Sequence, residues 1–205
     1  MNKEKKYIID DSTFASNPGK IIFNPFVWIK YNFSTTIVLL ISLILSIWLT
    51  FGVSFWFFTV LLIALVHNLL YWREKREHFR YGDSNGGIIV SVNPTLVAVT
   101  TDLTKGIGKY PVIKIIGYQL KGEIGDRIGT VALYTRSEDE NIKHWIDFRP
   151  IPIRYATNHI EEIDRAINSY KNEQWKQIED RLLQVPKPYM EGLYLIKEPT
   201  SDWTD

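Results

Sequence analysis

Asp102 is the carboxylate whose position most favours chemistry, because it stands at the end of a predicted strand. A carboxylate at such a place can act as a general base if a nucleophile, a second base or an oxyanion donor lies beside it. The sequence places none of these groups next to Asp102. We therefore keep Asp102 as a candidate only, and we predict no catalytic residue and no enzymatic activity.

The histidines and the acidic residues do not form a recognisable metal site. The four histidines lack the spacing of metal ligands: His67, His78, His144 and His159. His144 shares a predicted strand face with Ile146 and Phe148, which indicates a structural histidine at the margin of the core. The run Glu138-Asp139-Glu140 lacks the spaced ligands and central glycine of a calcium loop, so we interpret it as a solvated hairpin tip.

Composition excludes further classes of site. The chain has no cysteine, so disulfides, thiolate metal sites and a cysteine nucleophile are excluded. The segment Gly106-Ile107-Gly108-Lys109 is not a phosphate-binding loop, which has four residues between its glycines and a hydroxyl after the lysine. The net charge of +1 is not the strongly basic balance of a nucleic-acid binder. We predict no metal, no cofactor and no nucleic-acid partner.

The elements that would position any site begin with a membrane segment. The 42 residues from Tyr31 to Trp72 contain no charged side chain. As a single helix they would reach about 63 Å, roughly twice the ~30 Å hydrocarbon core of a bilayer. A break at 50–54 predicts two crossings, near Phe33–Thr50 and Ser54–Trp72.

Charge and aromatic residues predict the orientation of this hairpin. Basic residues flank only one side of it: Lys20, Lys30, Arg73, Lys75, Arg76 and Arg80. The positive-inside rule then places both termini in the cytoplasm of a multi-pass inner-membrane protein. Aromatic residues from Phe23 to Phe33 resemble an interfacial belt, and Asn24-Pro25 predicts the start of an interfacial helix.

Polar residues within the spans leave two interpretations open. Ser42, Ser46 and Thr50 recur every four residues on one helix face. Such a face favours close packing against the second span, or self-association between copies. His67 and Asn68 lie near the cytoplasmic end of the second span, where they would form interfacial hydrogen bonds or belong to an ion pathway.

The remainder of the chain predicts a small β-domain with a helix. We place strands at 87–92, 95–101, 112–118, 128–135 and 143–149, with a final edge strand at 192–196. Asn158 with Glu161 forms a capping-box pattern that opens a helix. This helix runs to about Gln184 and would cover the sheet or pair with a second copy.

The fold class is therefore an α+β membrane protein: a two-helix transmembrane hairpin, a small antiparallel β-sheet or partly open barrel, and a C-terminal helix. Its predicted segments are an N-terminal cytoplasmic segment with an interfacial aromatic stretch, 1–32; the transmembrane hairpin, 33–72; a juxtamembrane linker, 73–86; the cytosolic β-domain, 87–157; the C-terminal amphipathic helix, 158–185; and a tail, 186–205.

Short motifs add a family resemblance. They are Gly82-Asp83, Pro94, Val97-Ala98-Val99, Thr101-Asp102-Leu103 and Pro111-Val112-Ile113-Lys114-Ile115. With them, the segment Phe79–Ile153 resembles a bacterial domain of unknown function that follows a helical hairpin in small membrane proteins. The resemblance implies a bacterial inner-membrane protein and carries no activity or site residues.

We predict a membrane-anchored cytosolic interaction or assembly module with no evident catalytic site. Its partners are the lipid bilayer and an unidentified protein or a second copy of the chain. The alternative is a subunit of a small oligomeric channel or transport complex, lined by Ser42, Ser46, Thr50 and His67. An enzyme would require a polar pocket in the β-domain.

Overall fold

A short helix precedes the hairpin. The computed structural model describes residues 15–105, 109–139 and 141–197. Helix α1 (Pro25–Tyr31) begins at Asn24-Pro25 as predicted, and the Asn24 side-chain oxygen accepts a hydrogen bond from the Phe26 N–H at 3.0 Å. Proline suits this first turn because its missing N–H would have had no partner there.

Helices α2 (Phe33–Trp48) and α3 (Phe58–Tyr81) form the hairpin. A π-helical turn, Leu49–Val53, and a 3-10 turn, Phe55–Phe57, connect them, so the predicted break is confirmed. Both helical stretches are long and apolar enough to cross a membrane, yet only 22% and 6% of their most apolar stretches are buried inside the protein. A core helix of a soluble protein would be buried, whereas these side chains are exposed as lipid contact requires.

The polar residues of the hairpin differ in their environments. Ser46 and Thr50 are buried within the hairpin, and their hydroxyls donate to carbonyls of their own helix. The Asn68 side chain crosses from α3 and donates to the Leu39 carbonyl of α2 at 3.4 Å. His67 is exposed. Two of the three small residues on the predicted face therefore lie inside one chain's hairpin.

The β-domain is one curled antiparallel sheet, a half-barrel of six strands. They are β1 (Asp83–Val92), β2 (Thr95–Asp102), β3 (Pro111–Gly117), β4 (Arg127–Thr135), β5 (Asp147–Pro152) and β6 (Gly192–Leu195), in the order β5-β4-β1-β2-β3-β6. Side chains of β3 reach across the concave side to β5: the Lys114 ammonium lies 2.6 Å from the Asp147 carboxylate. The predicted fold class is confirmed.

Each face of the sheet has its own core. Alternate residues of a strand point to opposite faces, so Ile89, Val97 and Val99 fill the concave side together with Phe79 and Phe148.

The convex side is covered by helix α5 (Asn172–Leu182). Ile88, Ala98 and Ile113 of the sheet pack there with Trp175 and Ile178 of the helix. This confirms the interpretation that helical residues cover the sheet.

The junction between hairpin and half-barrel has no linker. α3 continues to Tyr81, and its last turn is part of the concave core, where Phe79 is fully buried. The His78 ring N–H donates to the Val131 carbonyl of β4 at 2.9 Å. Nearby, the Trp28 indole N–H donates to the Tyr71 hydroxyl at 2.8 Å and ties α1 to α3.

The residues before α1 also belong to this junction. We call Pro18–Phe23 the strap. The backbone N–H groups of Gly19, Lys20 and Ile21 donate to the carbonyls of Gly82, Arg80 and Phe79 at 2.9–3.1 Å. The final carbonyls of a helix lack partners within that helix, so the strap supplies the missing donors and caps the end of α3.

The start of β1 corrects the sequence analysis. The residues 83–86, predicted as the end of the juxtamembrane linker 73–86, are strand: Asp83 pairs with Ala132 and Gly86 with Gly129. Pairing with β4 outweighs the weak strand preference of these residue types. Packing also explains the glycine at position 86, because a Cβ there would lie 2.8 Å from the Trp175 ring.

The predicted strand at 143–149 lies further along the chain, at Asp147–Pro152. His144 precedes it and makes only an isolated bridge with Thr104. Ile146 is exposed while Phe148 is fully buried, so the predicted face shared by these three residues is wrong. The prolines at 150 and 152 are tolerated because β5 is an edge strand.

The single helix predicted at 158–185 is two helices, α4 (Ile160–Asn168) and α5. The Asn158 capping box is wrong as well, because His159 is the N-cap residue and forms no side-chain cap. Ala166 of α4 belongs to the concave core, whereas α5 packs on the convex core. The chain must therefore change faces between the helices, which a periodic apolar pattern does not reveal.

We expect Trp175→Ala to destabilise the fold by about 3–5 kcal/mol, because a large buried ring would leave a cavity. Trp175 is 2% exposed and anchors α5 on the sheet. Thermal unfolding of the full chain in detergent, followed by circular dichroism, measures this loss. The exposed neighbour Lys176→Ala is the control and should change stability by no more than about 0.5 kcal/mol. Equal transitions for the two variants would contradict the anchoring role.

Candidate functional site

A polar cavity lies where strands β1 and β2 diverge. Their ladder ends at the pair Gly87–Val99. Beyond it, β1 pairs only with β4 and β2 only with β3 among the strands. The gap is a cavity of about 400 Å³ whose wall includes residues of β1, β2, β4 and helix α5: Asp83, Asn85, Thr101, Tyr134, Gln174 and Arg181.

Asp83 is the centre of this cavity's hydrogen bonds. The Tyr134 hydroxyl donates to its carboxylate at 2.8 Å, and the Asn17 backbone N–H donates at 3.2 Å. The Thr101 hydroxyl lies 2.7 Å from the Tyr134 hydroxyl and completes the chain of bonds. Asp83 thereby connects the residues before the strap to strands β1, β2 and β4.

Burial controls the ionisation of Asp83 and Tyr134. It raises the pKa of Asp83 above the ordinary value of 3.8, although the hydrogen bonds from Tyr134 and Asn17 act in the opposite direction. Burial and the nearby Asp83 charge raise the pKa of Tyr134. Tyr134 therefore stays neutral and donates its proton in the hydrogen bond.

Asp102, the candidate base, borders the same cavity but has a different role. Its carboxylate accepts hydrogen bonds from the backbone N–H groups of Thr104 and Tyr110 at 2.9 and 3.0 Å, and from the Thr104 hydroxyl. Burial raises its pKa, but these hydrogen bonds outweigh burial and lower the pKa overall. Asp102 thus stabilises the loop that follows β2, and the three hydrogen bonds from that loop all go to its Oδ1 atom.

The cavity can hold a small polar molecule by hydrogen bonding. Arg181 forms one wall, where its guanidinium donates to the Thr100 hydroxyl at 2.6 Å. This is a polar pocket of the kind an enzyme would require, and neither composition nor periodicity revealed it. No histidine lines it in the part of the chain that the structure describes. Both carboxylates at this cavity, Asp83 and Asp102, accept hydrogen bonds from groups of the fold itself.

The other residues considered from the sequence lie apart from this cavity. His144 stacks on Tyr110 at 3.8 Å between ring centroids, and its ring N–H donates to the Trp145 carbonyl at 2.8 Å. Asp139 caps the backbone N–H of Asn141. Glu140 and the residues 106–108 lie outside the described residues. Within the described ranges, no group of three or more acidic or histidine side chains could hold a metal ion.

The second candidate site is the free edge of β6, which pairs with β3 alone among the described strands. The Ile196 N–H donates to the Pro111 carbonyl at 3.0 Å. N–H groups along an antiparallel strand alternate between its two edges, so those of Leu193 and Leu195 point away from β3. Their side chains are 38% and 60% exposed.

The opposite sheet edge, β5, has a different chemistry. Pro150 and Pro152 stand within it. Proline has no N–H to offer a further strand, and natural sheets use it to protect exposed edges. β6 carries neither proline nor charge, so of the two edges it is the one open to an additional strand.

The fold defines a class of membrane protein in which an apolar helical hairpin continues without a linker into an antiparallel half-barrel. A family model for proteins of unknown function, DUF3239, matches residues 73–185, more than half of the chain. The chain belongs to this family, which confirms the resemblance to an uncharacterised bacterial membrane-protein family.

Two further comparisons concern solved structures and curated proteins. A crystal structure of a "putative membrane protein" from Corynebacterium diphtheriae is similar to this chain at 21% identity, with a TM-score of 0.48. The match covers 56% of this chain and 100% of that one. No curated protein matches the sequence.

The raised pKa of Asp83 predicts a specific pH dependence. The folded chain binds this proton more tightly than the unfolded chain does, so the charged carboxylate costs stability at neutral pH. That cost disappears as the pH falls through the raised pKa. Asp83→Asn removes the titration, and wild type should therefore gain stability relative to this variant as the pH falls from 7 towards about 4.

Melting temperatures of the two proteins at several pH values test this expectation. Asp164→Asn, at an exposed carboxylate on α4, is the matched control and should show no such trend. A difference between wild type and Asp83→Asn that stays constant with pH would show that folding leaves the pKa of Asp83 unchanged, and a change in the opposite direction would show that folding lowers this pKa; either result would contradict the expectation.

Proposed function

We propose that this protein is a membrane-anchored cytosolic interaction module that receives an extended segment of a protein partner at the free edge of β6. The single observation behind this proposal is the contrast between the two sheet edges, one carrying two prolines and the other none. Addition of a strand to an open edge is a recurring mode of peptide recognition, in which main-chain hydrogen bonds provide affinity.

The hairpin gives such a module a defined position. We infer that both spans cross the inner membrane and that both termini face the cytoplasm, because the charged residues flank only one end of the hairpin. The buried contacts of Phe79 and His78 then hold the half-barrel at a fixed orientation below the bilayer. A partner bound at β6 would be held at the membrane surface.

The absence of native cysteines makes the orientation directly testable. Val53→Cys places one thiol at the hairpin tip, and Lys121→Cys places one in an exposed loop of the β-domain. In intact spheroplasts, a membrane-impermeant maleimide should label Val53→Cys and leave Lys121→Cys unmodified until the cells are lysed. Labelling of Lys121→Cys before lysis would overturn the orientation.

Strand addition predicts different effects for two substitutions of Leu195. Leu195→Pro removes the outward N–H and should abolish partner binding. Leu195→Ala keeps that N–H and should retain part of the binding. A photo-crosslinking residue at Lys197, just past β6, reports the partner in living cells. The same residue at the exposed Ile124 is the control for adducts formed by chance.

Two outcomes contradict this mode of binding. An adduct at position 197 that persists in Leu195→Pro would show contact without strand addition. Adducts consisting only of two copies of this chain would favour self-association, the basis of the channel alternative. A circular dichroism transition matching wild type establishes that the Leu195→Pro protein is folded.

A further inference from the structure

A cavity of about 490 Å³ lies on the open side of the half-barrel, at the base of the hairpin. Residues at both edges of the sheet line it: Arg149 and Pro150 stand in β5, while Glu191 and Gly192 stand at the start of β6. Side chains of α1, of the hairpin and of β3 form the rest of the wall. The cavity is therefore the place where the two sheet edges meet the membrane helices.

The wall that the hairpin contributes lies at the membrane boundary. Asn32, Thr35 and Tyr71 line the cavity, and all three belong to the uncharged run that ends at Trp72. Val38 lies one turn further into the membrane on the Thr35 face of α2 and is 63% exposed. An acyl chain can therefore follow α2 while the headgroup of the same lipid occupies the cavity.

Four charged side chains line the cavity among the described residues, and two of them are held by the fold itself. The Lys75 ammonium lies 2.7 Å from the Glu74 carboxylate. The Lys114 ammonium donates to the Asp147 carboxylate and to the Phe148 carbonyl at 2.6–2.7 Å. These lysine side chains are only 13% and 17% exposed. We therefore assign both lysines to the fold and not to a ligand.

The other two charges are Arg149 and Glu191, which are exposed and of opposite sign. Neither forms a hydrogen bond or ion pair with another residue in the part of the chain that the structure describes. The Glu191 carboxylate lies over Gly117 of β3, where a Cβ would overlap it. Burial raises the pKa of Tyr118, and Glu191 adds to this rise while Arg149 opposes it. Both charges therefore act on the same hydroxyl in the cavity wall.

The aromatic rings of the wall have partners of their own. The Lys75 ammonium lies 5.3 Å from the centroid of the Tyr71 ring. The Tyr155 ring stacks on Tyr31 with 4.2 Å between the ring centroids. Quaternary ammonium groups are bound by cages of open aromatic faces, whereas a primary ammonium donates hydrogen bonds to a carboxylate. The cavity therefore favours a primary ammonium, placed at Glu191.

We propose that this cavity binds the headgroup of phosphatidylethanolamine, with Arg149 on the phosphate and Glu191 on the primary ammonium. A guanidinium matches phosphate oxygens in geometry, and both contacts are charge-assisted hydrogen bonds. The acyl chains lie along α2 at Val38. The proposal rests on the membrane placement given under Proposed function, but it does not depend on a protein partner at β6.

The test uses the full chain in nanodiscs of phosphatidylcholine with equal minor fractions of phosphatidylethanolamine and phosphatidylglycerol. Native mass spectrometry measures which lipids the protein retains after release from the nanodisc. Arg149→Gln/Glu191→Gln removes both charges of the cavity and leaves the net charge unchanged. Arg154→Gln/Glu161→Gln makes the same change at exposed residues outside the cavity and is the matched control.

We expect wild type and the control variant to retain phosphatidylethanolamine in preference to both other lipids. The cavity variant should lose about tenfold of this preference, as the loss of charge-assisted bonds predicts. An equal preference in all three proteins would overturn the proposal, because the cavity charges would then not recognise the headgroup. A thermal transition matching wild type establishes that the cavity variant is folded.

The single variant Glu191→Gln separates the two contacts. It should abolish the preference for phosphatidylethanolamine over phosphatidylcholine, because both lipids keep the phosphate that Arg149 binds. An unchanged preference in Glu191→Gln would overturn the assignment of the ammonium to this carboxylate.

Glycerophosphoethanolamine carries the same headgroup without acyl chains and so distinguishes a lipid from a soluble ligand. At low millimolar concentration it should leave phosphatidylethanolamine bound to wild type, and displacement would overturn the lipid assignment. Cysteine labelling of Val53→Cys and Lys121→Cys reports the membrane placement separately. A failed lipid experiment with correct labelling therefore rejects only the headgroup site.

Discussion

The last turn of α3 has to end a membrane helix and form the wall of a half-barrel at the same time. A helix end leaves carbonyls without partners, and burying them against a core would be costly. The strap removes this cost by donating three N–H groups to Phe79, Arg80 and Gly82. With the carbonyls satisfied, Phe79 can be fully buried and His78 can bond to β4. The position of the half-barrel below the hairpin follows from this arrangement.

A side chain links β3 to β5 across the concave side of the half-barrel. Lys114 bonds to Asp147 and to the Phe148 carbonyl, so β3 is joined to β5 without strand pairing. α5 covers the convex face, and the prolines of β5 protect one edge. Of the two sheet edges, β6 is the one without proline. The gap between β1 and β2 is kept polar by Asp83 and its partners.

The local features of the sequence predicted much of this fold. The uncharged run defined the hairpin and its break, and β-branched runs located most of the strands. The Asp83 cluster could not be predicted, because it joins Asn17, Thr101 and Tyr134, which are far apart in sequence. Asp102 was predicted as the candidate because it ends a strand, but the carboxylate at the centre of the cavity, Asp83, lies in a segment predicted as a linker.

The two segments that fold differently from their prediction do so for a common physical reason. The residues 83–86 become a strand because β4 pairs with them, and the predicted long helix divides because its halves cover opposite faces of the sheet. Both outcomes depend on where distant elements lie. Local propensity and periodicity carry no information on such positions.

The strap has an evolutionary consequence, because it caps α3 through backbone groups alone. Most of its side chains can change without loss of these bonds, provided that no proline replaces the three donors. Gly19 is the exception, since a Cβ there would lie 2.7 Å from a Val131 methyl group and 2.8 Å from the Phe79 carbonyl. Distant relatives that share this junction should therefore diverge around a retained glycine. That glycine, rather than any charged motif, would identify the junction in their sequences.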